Sequence, residues 1–269
     1  LVPGVTEGQL ADTILLEYGT QEALEFIATN AQDIAAVLTE PVQSRNPSLQ
    51  PAEFLKQLRI ITENNSIALI FDEIVTGFRI HQAGAQHYFD VKADIVTYGK
   101  IIGGGMPIGV VCGKSRYLDF IDGGDWRYND NSEPEDRRTF VAGTFCQHSL
   151  SMAAANALLD ELISRGPALQ TELNDRTAVF AEKMNNWFYG HGVPICIQYC
   201  ASWFRFVLAS KARHFYDHLL LEGIYISEGR NCFLSPAHTA DDLLFLERKI
   251  KTAALLLKAF GMRPSYVPP

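Results

Sequence analysis

The sequence has no long basic run, no long apolar stretch and few cysteines, and each shortage excludes a class of function. Twenty-three Lys and Arg stand against 31 Asp and Glu in 269 residues, a formal net charge of −8. The longest basic run is the Arg137-Arg138 pair. A nucleic-acid partner needs a basic surface against its phosphates, so that class is set aside, and a polybasic membrane-surface segment goes with it. The apolar runs at 67–71 and 253–257 are far shorter than the ~20 residues a membrane-crossing helix needs. The cysteines are Cys112, Cys146, Cys196, Cys200 and Cys232. An odd number without a secretory leader fits reduced thiols in a cytoplasmic chain rather than a disulfide framework. An initiator methionine is also absent. The chain opens on Leu1-Val2-Pro3-Gly4, and the expectation is a fragment of a longer polypeptide.

What remains is an ordinary globular composition, with 47% hydrophobic and 20% charged residues. Residues 13–18 are apolar and β-rich, and 21–29 have helical spacing with Leu24 and Ile27 inward. A short apolar run at 34–38 stops at Thr39-Glu40-Pro41. Pro51 stands where a helix begins, and Phe54, Leu55, Leu58 and Ile61 repeat along one face of 51–64. Further apolar runs follow at 67–71, 94–98 and 108–112. Runs apolar on both faces and separated by helices predict an α/β fold with a largely parallel sheet. Functional groups in such sheets collect past the C-terminal strand ends, which here carry Glu40, Asp72 and Lys100.

Helices are expected over 149–165 and 169–189, then strands at 195–199, 203–209 and 224–226, with helices at 211–222 and 241–260. This change of texture divides the chain into a larger unit at 1–165 and a smaller α+β unit at 166–269. The Gly-, Asp-, Asn- and Glu-rich stretch 123–138 reads as a long exposed loop.

The chemistry centres on Tyr98-Gly99-Lys100-Ile101-Ile102-Gly103-Gly104-Gly105-Met106-Pro107. A lysine after a strand, followed by glycines, lies where the backbone turns tightly and approaches something closely. A neutral amine there can form a Schiff base, and partial burial would favour that form. Asp72 closes the apolar run Leu69-Ile70-Phe71, where a desolvated carboxylate needs a cationic partner. A protonated pyridine nitrogen is such a partner.

Other patterns are weaker. In Gly109-Val110-Val111-Cys112-Gly113-Lys114-Ser115 the P-loop's first glycine falls on Ile108, so the phosphate cradle fails. His214 and His218, four apart, read as a solvated helix face and not as zinc ligands, and no metal site is expected. Ser149 and Ser151 beside His148 read as a helix start.

The run Phe71-Asp72-Glu73-Ile74-Val75-Thr76-Gly77-Phe78-Arg79, the lysine–glycine segment from Gly99 to Gly109, Glu40-Pro41-Val42 and Gly143-Thr144-Phe145 occur in one order over more than 100 residues. Together they resemble the class-III, fold-type I aminotransferases, nearest in texture to glutamate-1-semialdehyde aminomutase. The resemblance implies pyridoxal 5′-phosphate (PLP) as cofactor. Lys100 would be its Schiff-base lysine and the proton-moving base, and Asp72 the partner of its ring nitrogen. Ile74 would press on the ring face, and Glu40 would belong to the polar network beside it. Thr144 would bind the phosphate across a homodimer. It further implies an amino-acid donor and a carbonyl acceptor.

A narrower resemblance rests on Glu40-Pro41-Val42-Gln43-Ser44-Arg45, Val96-Thr97-Tyr98-Gly99-Lys100, Ala142-Gly143-Thr144-Phe145-Cys146 and Glu228-Gly229-Arg230-Asn231-Cys232-Phe233-Leu234-Ser235. These are similar to aminotransferase domains of hybrid polyketide–nonribosomal peptide synthetases, which implies a β-ketoacyl thioester held on an acyl carrier protein as acceptor. The alternatives are an aminomutase of the glutamate-1-semialdehyde type and a non-catalytic docking module. Val75 stands where ω-aminotransferase relatives commonly carry a glutamine, and Arg45 where some carry an acid; both differences lean toward the aminomutase-like branch. Family members also carry an N-terminal segment with a phosphate cup and a stacking ring. On that basis the isolated chain is expected to bind PLP weakly.

Overall fold

A computed structural model describes residues 3–124, 127, 129–132, 139–208 and 213–259. After α1 (Glu7–Ala11) and α2 (Gln21–Thr29), the strand β1 (Ala36–Thr39) leads to α3 (Ala52–Asn64), β2 (Ala68–Asp72), α4 (Gly84–Phe89), β3 (Ile95–Gly99) and β4 (Gly109–Gly113). The four strands form one sheet in sequence order, with β1–β2 and β2–β3 parallel and β3–β4 antiparallel. The largely parallel α/β fold read from the apolar runs is therefore present. The last run differs from its neighbours in direction because the tight turn at 104–108 has no crossover helix.

Burial follows position in the sheet. The inner strand β2 has Leu69 and Phe71 fully buried, whereas Leu38 on the free edge strand β1 is 67% exposed. Leu55 and Leu58 of α3 pack with Leu69, Phe71 and Val96 in one core. At the N-terminal end of β3, Asp94 accepts the Leu69 N–H and an Arg59 N–H, both at 2.9 Å, and pairs with Lys114 at 2.7 Å. This knot holds the end of the sheet opposite the strand termini that carry Asp72 and Lys100.

The chain continues through α5 (Ser115–Asp122), α6 (Ser149–Arg165), α7 (Ala168–Gly190), β5 (Ile195–Cys200), β6 (Trp203–Leu208), α8 (Arg213–Leu221), β7 (Cys232–Phe233) and α9 (Ala240–Ala259). β5, β6 and β7 form an antiparallel sheet. Met184, Phe188, Phe206, Phe215, Leu219, Ile250 and Ala253 fill a second core against it. Cys200 and Trp203, at the β5–β6 turn, pack into the first core.

Two expected strands are not formed. Residues 13–18 form no strand among the described residues, and they and β1 line one open cavity. Residues 224–226 form none either, because the Ile224 N–H donates to Leu219 O at 2.8 Å and closes the end of α8. The short α4 and α5 were not expected. Most of the 123–138 loop, and positions 209, 211, 212 and 260 at the edges of other expected elements, lie outside the described residues. Among the described residues no helix is long and apolar enough to cross a membrane.

Candidate active site

Strand register brings three of the expected residues to one place. Thr39 pairs with Phe71, and Asp72 pairs with Thr97. Glu40 and Asp72 therefore follow directly on paired positions at the C-terminal end of the sheet, and Lys100 leaves the same end three residues after Thr97. Glu40 and Asp72 also line the cavity of about 1030 Å³ beside β1.

Each side chain is set by local backbone. Half-buried Asp72 accepts the Ile74 N–H on Oδ1 at 2.9 Å, and its Oδ2 takes no hydrogen bond among the described residues. The Ile74 side chain lies against Gly99, where an added Cβ would sit 3.4 Å from it. Ile74 thus sits beside the backbone that leads into Lys100. Glu40 accepts the Ser44 N–H at 2.9 Å, which curls the loop after β1.

Lys100 starts a 3₁₀ turn, Lys100–Gly103, with φ 53. A non-glycine residue in the left-handed region is strained, and such strain persists where surrounding packing enforces it. The enforcing contact is α6. At Gly104, φ 56, a Cβ would meet the Ala154 carbonyl at 3.0 Å, and Ser151 Oγ donates to Pro107 O at 2.8 Å. The same bond explains Ser151 without any triad. Partial burial, which would favour the neutral amine, is not present here: Lys100 is exposed. Thr144 stands on an exposed turn ahead of α6 and forms no hydrogen bond with the other four residues.

Lys114, the lysine of the rejected P-loop pattern, pairs with Asp94 at the opposite end of the sheet. No group of three metal-ligating side chains occurs among the described residues.

Three charged residues escaped the sequence reading. Glu73 is fully buried and accepts the N–H groups of Ala85 at 2.5 Å and Gln86 at 3.1 Å, with the Thr76 hydroxyl at 3.3 Å. Burial pushes its carboxyl pKa up against those bonds. Arg79 donates to Ser202 Oγ at 3.0 Å and to Leu234 O at 3.5 Å, and lies 4.5 Å over the Phe233 ring. Burial lowers its pKa to about 10. Arg205 donates to the carbonyls of Arg45 and Gly229. The available signal was a charge enclosed by apolar neighbours, as in Phe78-Arg79-Ile80 and Phe204-Arg205-Phe206.

A carboxylate with one oxygen unpartnered among the described residues suits a protonated pyridine nitrogen, an isoleucine beside it offers an apolar ring contact, and an exposed amine at the strand ends is open to an aldehyde. These residues fit PLP.

Residues 5–191 match the family model described as "Aminotransferase class-III". The chain is similar to the glutamate-1-semialdehyde 2,1-aminomutase of Hydrogenobaculum sp., with 35% identity over 95% of this chain and 61% of that protein. It is similar also to the enzyme of the same name from Methanococcoides burtonii, at 34% identity over 95% and 61%. The chain thus spans about three-fifths of the length of these curated relatives. Among solved structures it superimposes on a transaminase with PLP bound, with a TM-score of 0.84, 25% identity, and coverage of 97% of this chain and 61% of that one.

Proposed function

We propose, from the premise that this chain belongs to the class-III aminotransferase family, that it supplies the lysine-bearing part of an enzyme that moves an amino group from an amino-acid donor to a carbonyl acceptor. The observation that carries this reading is the strand register, which sets Asp72 and Lys100 at the same end of adjacent parallel strands. The family's cofactor is PLP, and when bound it supplies an electron sink for charge developing on the substrate carbon.

The chain's own residues would divide the task. Asp72 would keep the proton on the ring nitrogen through its unpartnered Oδ2. Ile74 would hold one ring face. Lys100 would anchor the cofactor through its amine and, once released, carry a proton to and from the substrate carbon. Glu40 would complete the polar wall beside Asp72. Thr144 would offer its hydroxyl and N–H to the phosphate across a homodimer. The exposure of Phe140 (93%) and Phe145 (80%) around Thr144 supports a surface that a second copy covers. The two separate cores support reading 166–269 as a small domain, and the free thiols fit a reducing cytoplasm.

For the acceptor, the reading is a β-ketoacyl thioester on an acyl carrier protein within a larger synthetase. Identity of 35% with an aminomutase favours a second reading, transfer within glutamate 1-semialdehyde. Steady-state amino transfer with each acceptor separates them. Turnover of the carrier-bound thioester alone supports the first, turnover of the semialdehyde alone supports the second, and turnover of neither removes both.

A further inference from the structure

The loop after β1 is held at three points. The Tyr18 hydroxyl donates to Pro41 O at 2.7 Å, the Ser44 N–H donates to Glu40 Oε2 at 2.9 Å, and Arg205 Nη1 donates to Arg45 O. The last contact spans 160 residues and starts from β6, where Phe204 and Phe206 are buried on either side of Arg205. The second guanidinium nitrogen, Nη2, donates to Gly229 O at 3.1 Å in the turn before β7. Nε is shielded from solvent and has no hydrogen-bond partner among the described residues. Among the described residues no carboxylate forms an ion pair with Arg205, so two backbone carbonyls define its position. An arginine that leaves one N–H unpaired to bridge two carbonyls acts through geometry and not through charge neutralisation.

Arg79 makes the matching link on the next loop, from the segment after Asp72 to Ser202 and Leu234. The loops bearing the two acids of the site are thus each tied by one arginine to the β6–β7 region. The Arg205 link ends one residue from Ser44, whose N–H orients Glu40, and Glu40 and Gln43 both line the cavity of about 1030 Å³.

We propose that Arg205 is a positioning residue for substrate: by bridging Arg45 O and Gly229 O it fixes the 40–45 loop, and so the Glu40 and Gln43 side chains that line the cavity beside Asp72. This rests on the amino-transfer reading above. Arg205 touches neither the amine of Lys100 nor Asp72, so its effect falls on the substrate side of the site and not on the lysine that captures the cofactor.

The test uses Arg205→Met and Arg205→Lys in the full polypeptide. Three quantities are read: PLP bound per chain, amide hydrogen exchange at Ser44, and KM for donor and acceptor. In both variants Ser44 exchange is expected to rise about tenfold and KM for donor and acceptor about tenfold, while Lys100 and Asp72 keep the PLP content unchanged. Lysine is expected not to rescue, because one ammonium cannot bridge two separated carbonyls as a planar guanidinium does. Wild-type exchange at Ser44 in Arg205→Met overturns the proposal, as do wild-type KM values in Arg205→Lys. Loss of PLP from both variants overturns it too, since it would make Arg205 a cofactor or folding residue. If the parent enzyme transfers no amino group, the functional reading fails, while the Ser44 exchange still reports the bridge.

Discussion

The Glu73 carboxylate accepts the backbone N–H of Ala85 at 2.5 Å, which ties the residue after Asp72 to the start of α4. Gly84 makes this approach possible. With φ 76 it occupies the left-handed region, and a Cβ there would lie 2.8 Å from Glu73 Oε2. Gly84→Ala is expected to destabilise the fold by about 2–4 kcal/mol, combining left-handed strain with overpacking. Glu73→Ala, which leaves two N–H groups unpaired, is expected to cost about 3 kcal/mol. Urea denaturation midpoints check both.

Arg79 joins the Asp72 loop to Ser202 and Leu234 in surroundings dry enough to lower its pKa to about 10. Arg79→Met keeps much of the contact with Phe233 but loses both donors. It is expected to cost about 2 kcal/mol, read as a lowered Tm. Arg79→Lys should recover part of that loss, since a lysine offers donors without the planar fork.

Asp94 gives the fold an acid limb. Burial alone would raise its carboxyl pKa, but Lys114, the Leu69 N–H and Arg59 together hold it at about 2, below the usual 3.8. A folded pKa below the unfolded one means the stabilisation is fully present above pH 3.8 and is lost as pH falls through about 2. Its size is at most about 2 kcal/mol. In Asp94→Asn, Tm at pH 7 is expected to fall, and the part of the Tm decline between pH 4 and 2 due to this group should vanish.

Asp72 is expected to matter to chemistry far more than to folding. Among the described residues its one hydrogen bond is accepted from the Ile74 N–H, which asparagine can also accept. Asp72→Asn should keep the wild-type Tm while amino transfer falls by about 10²-fold or more, the scale for losing one electrostatic partner at a reacting group. Parallel thermal and kinetic measurements check the split.

Much of the first sheet and the candidate site was legible because its signals are local. Apolar runs ending in Asp72 or leading to Lys100 are strand signals, and the periodic faces of α3, α6 and α7 are one-dimensional patterns. Parallel register then aligned Glu40 with Asp72 without further information. The misses depend on distant partners. Residues 13–18 have strand composition but join no sheet among the described residues, and Ile224 gives its N–H to the end of α8. Glu73, Arg79 and Arg205 take their roles from contacts 12, 123 and 160 residues away. Composition around them marks burial but not the partner.

Capture of PLP by Lys100 is tested most directly by equilibration with excess PLP, borohydride reduction and peptide mapping, with Lys100→Ala alongside. A phosphopyridoxyl label confined to Lys100 and absent from Lys100→Ala is expected. A stoichiometric label on another lysine, or equal labelling of Lys100→Ala, would contradict it.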